Sequence, residues 1–83
     1  MPEPLQLKIQ YFAVFREQRG LAAETLASDA TTPGELYAQL RARHGFTLDV
    51  SMVRVAVNGS FAPMERPLSS GDSVVFIPPV AGG

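Results

Sequence analysis

The chain contains no cysteine. That excludes disulfides, thiolate metal sites and a cysteine nucleophile. It has a single histidine, His44, and one imidazole without His or Cys partners does not make a metal site. The Asp and Glu residues number eight and show no ligand-like spacing. Lys and Arg are scattered and the net charge is −1, so there is no footprint for nucleic acid. No apolar run approaches the ~20 residues of a membrane span. The opening MPEPLQLKIQ has no basic segment followed by an apolar one, so it is not expected to be a signal peptide. No Gly-x4-Gly-Lys-Ser/Thr run is present to cradle a nucleotide phosphate. No nucleophile stands at a recognisable spacing from a base. What remains is a domain expected in the cytoplasm, binding no metal, nucleic acid, membrane or cofactor of its own and not acting as an enzyme alone.

What is present is a core. The 83 residues are 46% hydrophobic, enough for one domain and too few for two. Leu5-Gln6-Leu7-Lys8-Ile9-Gln10-Tyr11 alternates apolar and polar, which predicts a strand with one buried face. The alternation fails at Phe12-Ala13-Val14-Phe15. Helix formers follow to Arg19, with Gly20 as a left-handed stop, so a short helical turn is expected. A second strand, antiparallel to the first, is expected over Leu21 to Ala27.

Thr32-Pro33-Gly34-Glu35 is the clearest local signal: a capping threonine, a proline suited to the first helical position, and a glutamate placed for a capping box. Gly34 weakens that turn by up to about 1 kcal/mol relative to alanine. The helix is expected to bury Leu36, Tyr37, Ala38 and Leu40. Arg41, Arg43 and His44 suit its negative end, and Gly45 stops it. His44 reads as a helix-end residue.

Val53 to Val57 alternates again and runs into Asn58-Gly59, the strongest short hairpin signal, because both positions tolerate positive φ. The return strand Ser60-Phe61-Ala62 is cut short by Pro63. Val74-Val75-Phe76-Ile77 is continuously apolar, which suits a strand covered on both faces or an edge met by a partner. The order predicts an α+β fold: a mixed sheet with the first and last strands parallel at its centre and one main helix packed on one face.

The chain finishes FIPPVAGG. Pro78 and Pro79 lack amide hydrogens and hold the backbone extended. Residues 1–77 thus divide from a flexible tail over 78–83, whose reach beyond Ile77 is about 20 Å. Val80 and Ala81 give slight grip; Gly82 and Gly83 can pass a channel too narrow for side chains. The bare terminal carboxylate suits chemistry done on it by another protein, such as activation to an acyl-adenylate and capture by a nucleophile. The bland reading is an incidental terminus, since chain ends are ordinarily unselected.

The stretches LKIQYFAVFREQRG, TTPGEL, RVAVNGSFA and PLSSGDSVVFIPPVAGG together resemble the small subunits of molybdopterin synthases, ubiquitin-like sulfur carriers of β-grasp fold. The resemblance runs from about Leu5 to Gly83. It implies that Gly83 bears the reactive group. An adenylating enzyme would activate its carboxylate with ATP, and a sulfur donor protein would convert it to a thiocarboxylate. The tail from Pro78 to Gly83 would enter the active site of the large subunit, within a heterotetramer, and give sulfur to a cyclic pterin precursor of the molybdenum cofactor. Partner contacts are implied at Phe12, Arg16, Phe76 and Ile77, although from the residues alone Phe12 is equally a core residue and Arg16 a solvated charge. Ile77 departs from relatives that carry an aromatic there.

Two other uses of the same end stay open: a carrier for thiamin thiazole or another thiolation pathway, and a ubiquitin-like modifier joined to lysines through Gly83. Pro78-Pro79 favours the molybdopterin branch. A plain binding module whose tail is incidental is the third alternative.

Overall fold

The computed structural model describes residues 3–79. Five strands and two α-helices follow in the order β1 (Leu5–Tyr11), α1 (Val14–Arg19), β2 (Ala23–Ser28), α2 (Pro33–His44), β3 (Arg54–Val57), β4 (Ser60–Ala62) and β5 (Ser73–Ile77), with a 3-10 turn at Val50–Met52 before β3. The sheet order is β2-β1-β5-β3-β4. β1 and β5 are parallel, and every other neighbouring pair is antiparallel. This is the expected mixed sheet, with the last strand at its centre.

Strand alternation divides the sheet into two faces. Leu7, Ile9, Tyr11, Val55, Val57, Val74 and Phe76 point to the helix side and are buried. There they meet Phe15 of α1, Leu36, Tyr37 and Leu40 of α2, and Phe46. Tyr37 sits among three aromatic rings, with centroids 5.7 Å from Phe15, 5.9 Å from Phe46 and 5.4 Å from Phe76. Its hydroxyl is not wasted in the core: it donates to the Leu48 carbonyl at 2.6 Å.

α2 begins as its sequence dictates. Thr32 Oγ1 accepts from the Glu35 N–H at 3.2 Å, and Pro33 takes the first helical position. The reciprocal arm differs from a simple capping box. Glu35 Oε1 reaches one residue further back and accepts from both the N–H and the hydroxyl of Thr31, each at 2.7 Å. Gly34 packs closely: its N–H donates to the Met64 carbonyl at 3.0 Å, and a Cβ there would sit 3.3 Å from that oxygen, a tight contact. Gly45 closes the helix in the left-handed region at φ 72°.

Ala38 is a correction. It was expected inward but is exposed. At about 100° per residue, Leu36, Tyr37 and Leu40 share one side, and Ala38 falls on the other. β2 also starts later than expected, at Ala23. Asn58 (φ 53°) and Gly59 (φ 87°) form the two-residue turn that pairs Val57 with Ser60.

The last strand meets neither expectation drawn from its apolar run. It is central, so it is not an edge. Only Val74 and Phe76 are buried; Ser73, Val75 and Ile77 face the side that no helix covers.

Candidate functional site

β5 carries the chain to Pro78 and Pro79, so the site begins with what surrounds the end of that strand. The register is informative here. Arg54 pairs with Ile77, Ala56 with Val75, and Ala56 also with Phe61 on β4. Paired residues share a face, and Val55 and Val57 are buried, so Ala56, Phe61, Val75 and Ile77 all lie on the open face.

Phe61 is 69% exposed and Met52 is 52% exposed. With Ile77, Pro78, Pro79 and Arg54 they line one shallow apolar hollow beside the strand end. A phenylalanine this exposed next to an exposed methionine is a patch of the kind that marks a protein contact.

Phe12 lies at the same end of the sheet. Its chain predecessor Tyr11 pairs with Phe76, and Phe12 itself is 44% exposed. The backbone there is unusual. Ala13 has φ 48° and ψ −121°, a conformation that costs a residue with a Cβ on the order of 1–3 kcal/mol. The Phe15 N–H donates to the Phe12 carbonyl at 3.0 Å across this turn. The turn keeps Phe12 outside while burying Phe15.

α1 is held in place from below by a small ionic cluster. Arg19 makes a two-pronged contact with Glu24, at 2.8 and 2.9 Å, and the Tyr11 hydroxyl donates to the same carboxylate at 2.6 Å. The Arg19 hydrogen bonds are the largest cause that holds the Glu24 carboxyl down at about 2. Burial, followed by the Glu24 contact, pushes the Tyr11 hydroxyl well above its usual range. Arg16 lies on the exposed side of α1, and among the described residues no ion pair engages it.

The Gly71-Asp72 pair before β5 has a structural explanation. Asp72 is 9% exposed. Its carboxylate accepts from the Ser69 N–H at 2.8 Å and from Asn58 Nδ2 at 2.9 Å, with Arg66 at 3.5 Å. Asn58 in turn accepts from the Ser73 N–H at 2.9 Å. These bonds tie the hairpin turn to the start of the strand that carries the tail. The Ser69 N–H is the largest cause lowering the Asp72 carboxyl.

The residues expected at partner contacts therefore separate. Phe12, Arg16, Ile77, Pro78 and Pro79 reach the surface. Phe76 does not: it is fully buried, because alternation along β5 turns it into the core beside Tyr37 while its neighbour Ile77 turns out. It supports the strand and is not a surface contact. Val80, Ala81, Gly82 and Gly83 lie outside the described residues. Phe61 and Met52 were missed. For Phe61 the signal was available, since a two-residue Asn-Gly turn fixes the register and puts Phe61 opposite Ala56, away from the buried valines. Among the described residues, no group of three or more His, Cys, Asp or Glu is placed to hold a metal, and no helix is long and apolar enough to cross a membrane.

A mixed five-stranded sheet with one main helix across it, and a proline-stiffened end leaving beside an apolar patch, defines a ubiquitin-like β-grasp protein. A ubiquitin from Caldiarchaeum subterraneum shares the fold at a TM-score of 0.63 with 19% identity, covering 96% of this chain and 99% of that one. The chain belongs to the ThiS family, whose model matches residues 9–83. It is 35% identical over 80 residues to the molybdopterin synthase sulfur carrier subunit of Escherichia coli, covering 93% of this chain and 99% of that protein. It is also similar to a chain in the complex of subunits 1 and 2 of the molybdopterin-converting factor from Helicobacter pylori. That match has a TM-score of 0.63 and 25% identity, and covers 95% of this chain and 100% of the other.

Proposed function

We propose that this chain is the sulfur carrier subunit of a molybdopterin synthase. The observation that carries the reading is the junction at the end of β5. A central strand delivers Pro78 and Pro79 to the surface beside Phe61, Met52 and Ile77, and the sequence continues as Val-Ala-Gly-Gly. The apolar hollow beside Pro78 and Pro79 gives a partner something to hold. The relatives named above supply the pathway.

In this reading an activating enzyme adenylates Gly83. A carboxylate oxygen attacks the α-phosphorus of ATP and pyrophosphate leaves. A sulfide equivalent from a donor protein then displaces AMP, leaving a thiocarboxylate. Docked on the large subunit through Phe61, Ile77 and Phe12, the chain threads Pro78 to Gly83 into that subunit's active site. There the thiocarboxylate sulfur attacks an electrophilic carbon of the pterin precursor and displaces an oxygen substituent from that carbon, which leaves as the C–S bond forms. Hydrolysis of the resulting thioester leaves sulfur on the pterin and returns the carboxylate. The carrier contributes no acid or base; it positions and presents its own end. Two sulfurs are needed for each dithiolene, so two loaded carriers are consumed, which suits a heterotetramer of two small and two large subunits.

The test is reconstitution. Chain loaded with sulfur, mixed with a molybdopterin synthase large subunit and the cyclic precursor, is expected to yield molybdopterin. Gly82→Ala, or one residue added after Gly83, should fold normally and lose transfer. Normal product from either variant would defeat the reading, as would loaded chain that serves a thiazole synthase and not the pterin enzyme.

A further inference from the structure

The sheet has two edges, and they are built differently. β4 is three residues long and is followed at once by Pro63, a short blunt edge of the kind that does not recruit strands. β2 is six residues, Ala23–Ser28, and contains no Pro, Gly or Lys. Its one charge, Glu24, is on the helix side and already neutralised by Arg19. None of the usual protections is free to act at this edge.

The hydrogen-bonding groups on that edge follow from the register. The Tyr11 N–H donates to the Ala22 carbonyl, so Tyr11 and Ala22 form a bonded pair. In an antiparallel ladder bonded and non-bonded pairs alternate. Ile9 with Glu24 and Leu7 with Leu26 are therefore bonded pairs too. Ala23, Thr25 and Ala27 consequently turn their N–H and C=O groups away from β1, and all three are exposed.

We propose that two copies of the chain pair antiparallel through β2, about a two-fold axis at Thr25. Only registers that keep the two faces matched are allowed. The one centred on Thr25 bonds Thr25 to Thr25, and Ala23 to Ala27 twice over, so every outward group finds a partner. The side chains that meet on the open face are then Ala, Thr and Ala, small enough to pass, with a threonine pair at the centre. The edge is complementary to itself, which is what a two-fold contact requires.

A second feature follows from the same register. It sets Leu21 of one copy opposite Asp29 of the other. Leu21 is 42% exposed, so the contact covers an apolar side chain at each end of the paired strands. β2 and β4 are opposite edges, so two five-stranded sheets become one, and the Phe61 end of each copy stays free.

Sedimentation and amide exchange of the full chain over a concentration series test this. The expected mass rises from 8.9 kDa towards twice that value as concentration increases. Exchange slows with concentration at the Ala23, Thr25 and Ala27 amides and not at Glu24 and Leu26. Thr25→Pro, at an outward N–H where the β1 ladder loses nothing, should weaken the dimer at least about tenfold by removing two hydrogen bonds. Thr25→Lys should weaken it while keeping the N–H, and serves if the proline variant does not fold. A chain that stays monomeric at millimolar concentration overturns the proposal. So does a dimer indifferent to both substitutions, or protection that maps to an edge other than β2.

Discussion

On one side of the sheet Tyr11, Val55 and Phe76 meet Phe15, Tyr37 and Phe46, and nothing larger than a few atoms is left to solvent. On the other side, among the described residues, no helix covers Thr25, Ala56 and Val75. Yet that open side is not uniformly polar. Its β2 end carries alanine and threonine; its β4 end carries Phe61, with Met52, Ile77 and the two prolines close by. The buried side shows where stability comes from. The open side gathers large exposed apolar groups beside the end of β5. That sets one end of one face apart.

Substitutions can separate the two faces, and their effects on stability should descend in a definite order. Phe76→Ala removes a ring packed on Tyr37 and should cost about 3–5 kcal/mol, enough nearly to unfold a domain of this size, as denaturant titration would show. Asp72→Ala strands the Ser69 N–H and the Asn58 amide and should cost about 1–3 kcal/mol by the same assay. Ala13→Gly should go the other way, stabilising by about 1 kcal/mol because glycine accepts φ 48° without strain. A stability change of the opposite sign would show that the turn at Ala13 is not strained.

Glu24 contributes an effect that depends on pH. Its carboxyl is held at about 2 in the folded chain, below its ordinary 4.5, so the unfolded chain takes up the proton first. The stabilisation is present above about 4.5 and is lost as pH falls through about 2. Glu24→Gln should flatten that part of the stability profile. Phe61→Asp should change stability least, within about 0.5 kcal/mol, while weakening binding to a molybdopterin synthase large subunit at least tenfold, the behaviour of an interface anchor of about 1.4 kcal/mol or more. If Phe61→Asp unfolds the chain, or leaves that binding unchanged, the division between the two faces fails.

Much of this was legible because short-range chemistry determines it. Period-two alternation marked β1, the Asn-Gly pair marked the hairpin, and Thr32-Pro33 with Gly45 marked both ends of α2. Elements whose character depends on distant neighbours were harder. Phe76 and Ile77 are adjacent apolar residues with opposite fates, and only the strand's place beneath α2 separates them. Ala13 looks like any alanine until the turn requires positive φ. Asp72 reads as a turn residue, yet its partners are the Asn58 side chain and the Ser69 amide. Gly34, which reads as a weakness in α2, has the Met64 carbonyl packed closely against it.

The proposal that Gly83 carries sulfur can be put to one measurement. It is tested most directly by the intact mass of the purified chain after incubation with a ubiquitin-like-protein activating enzyme, ATP and a sulfur donor. The expected result is a gain equal to the replacement of one oxygen by one sulfur, abolished when Gly83 is deleted. An unchanged mass, with the same enzymes loading a known carrier in parallel, would contradict it.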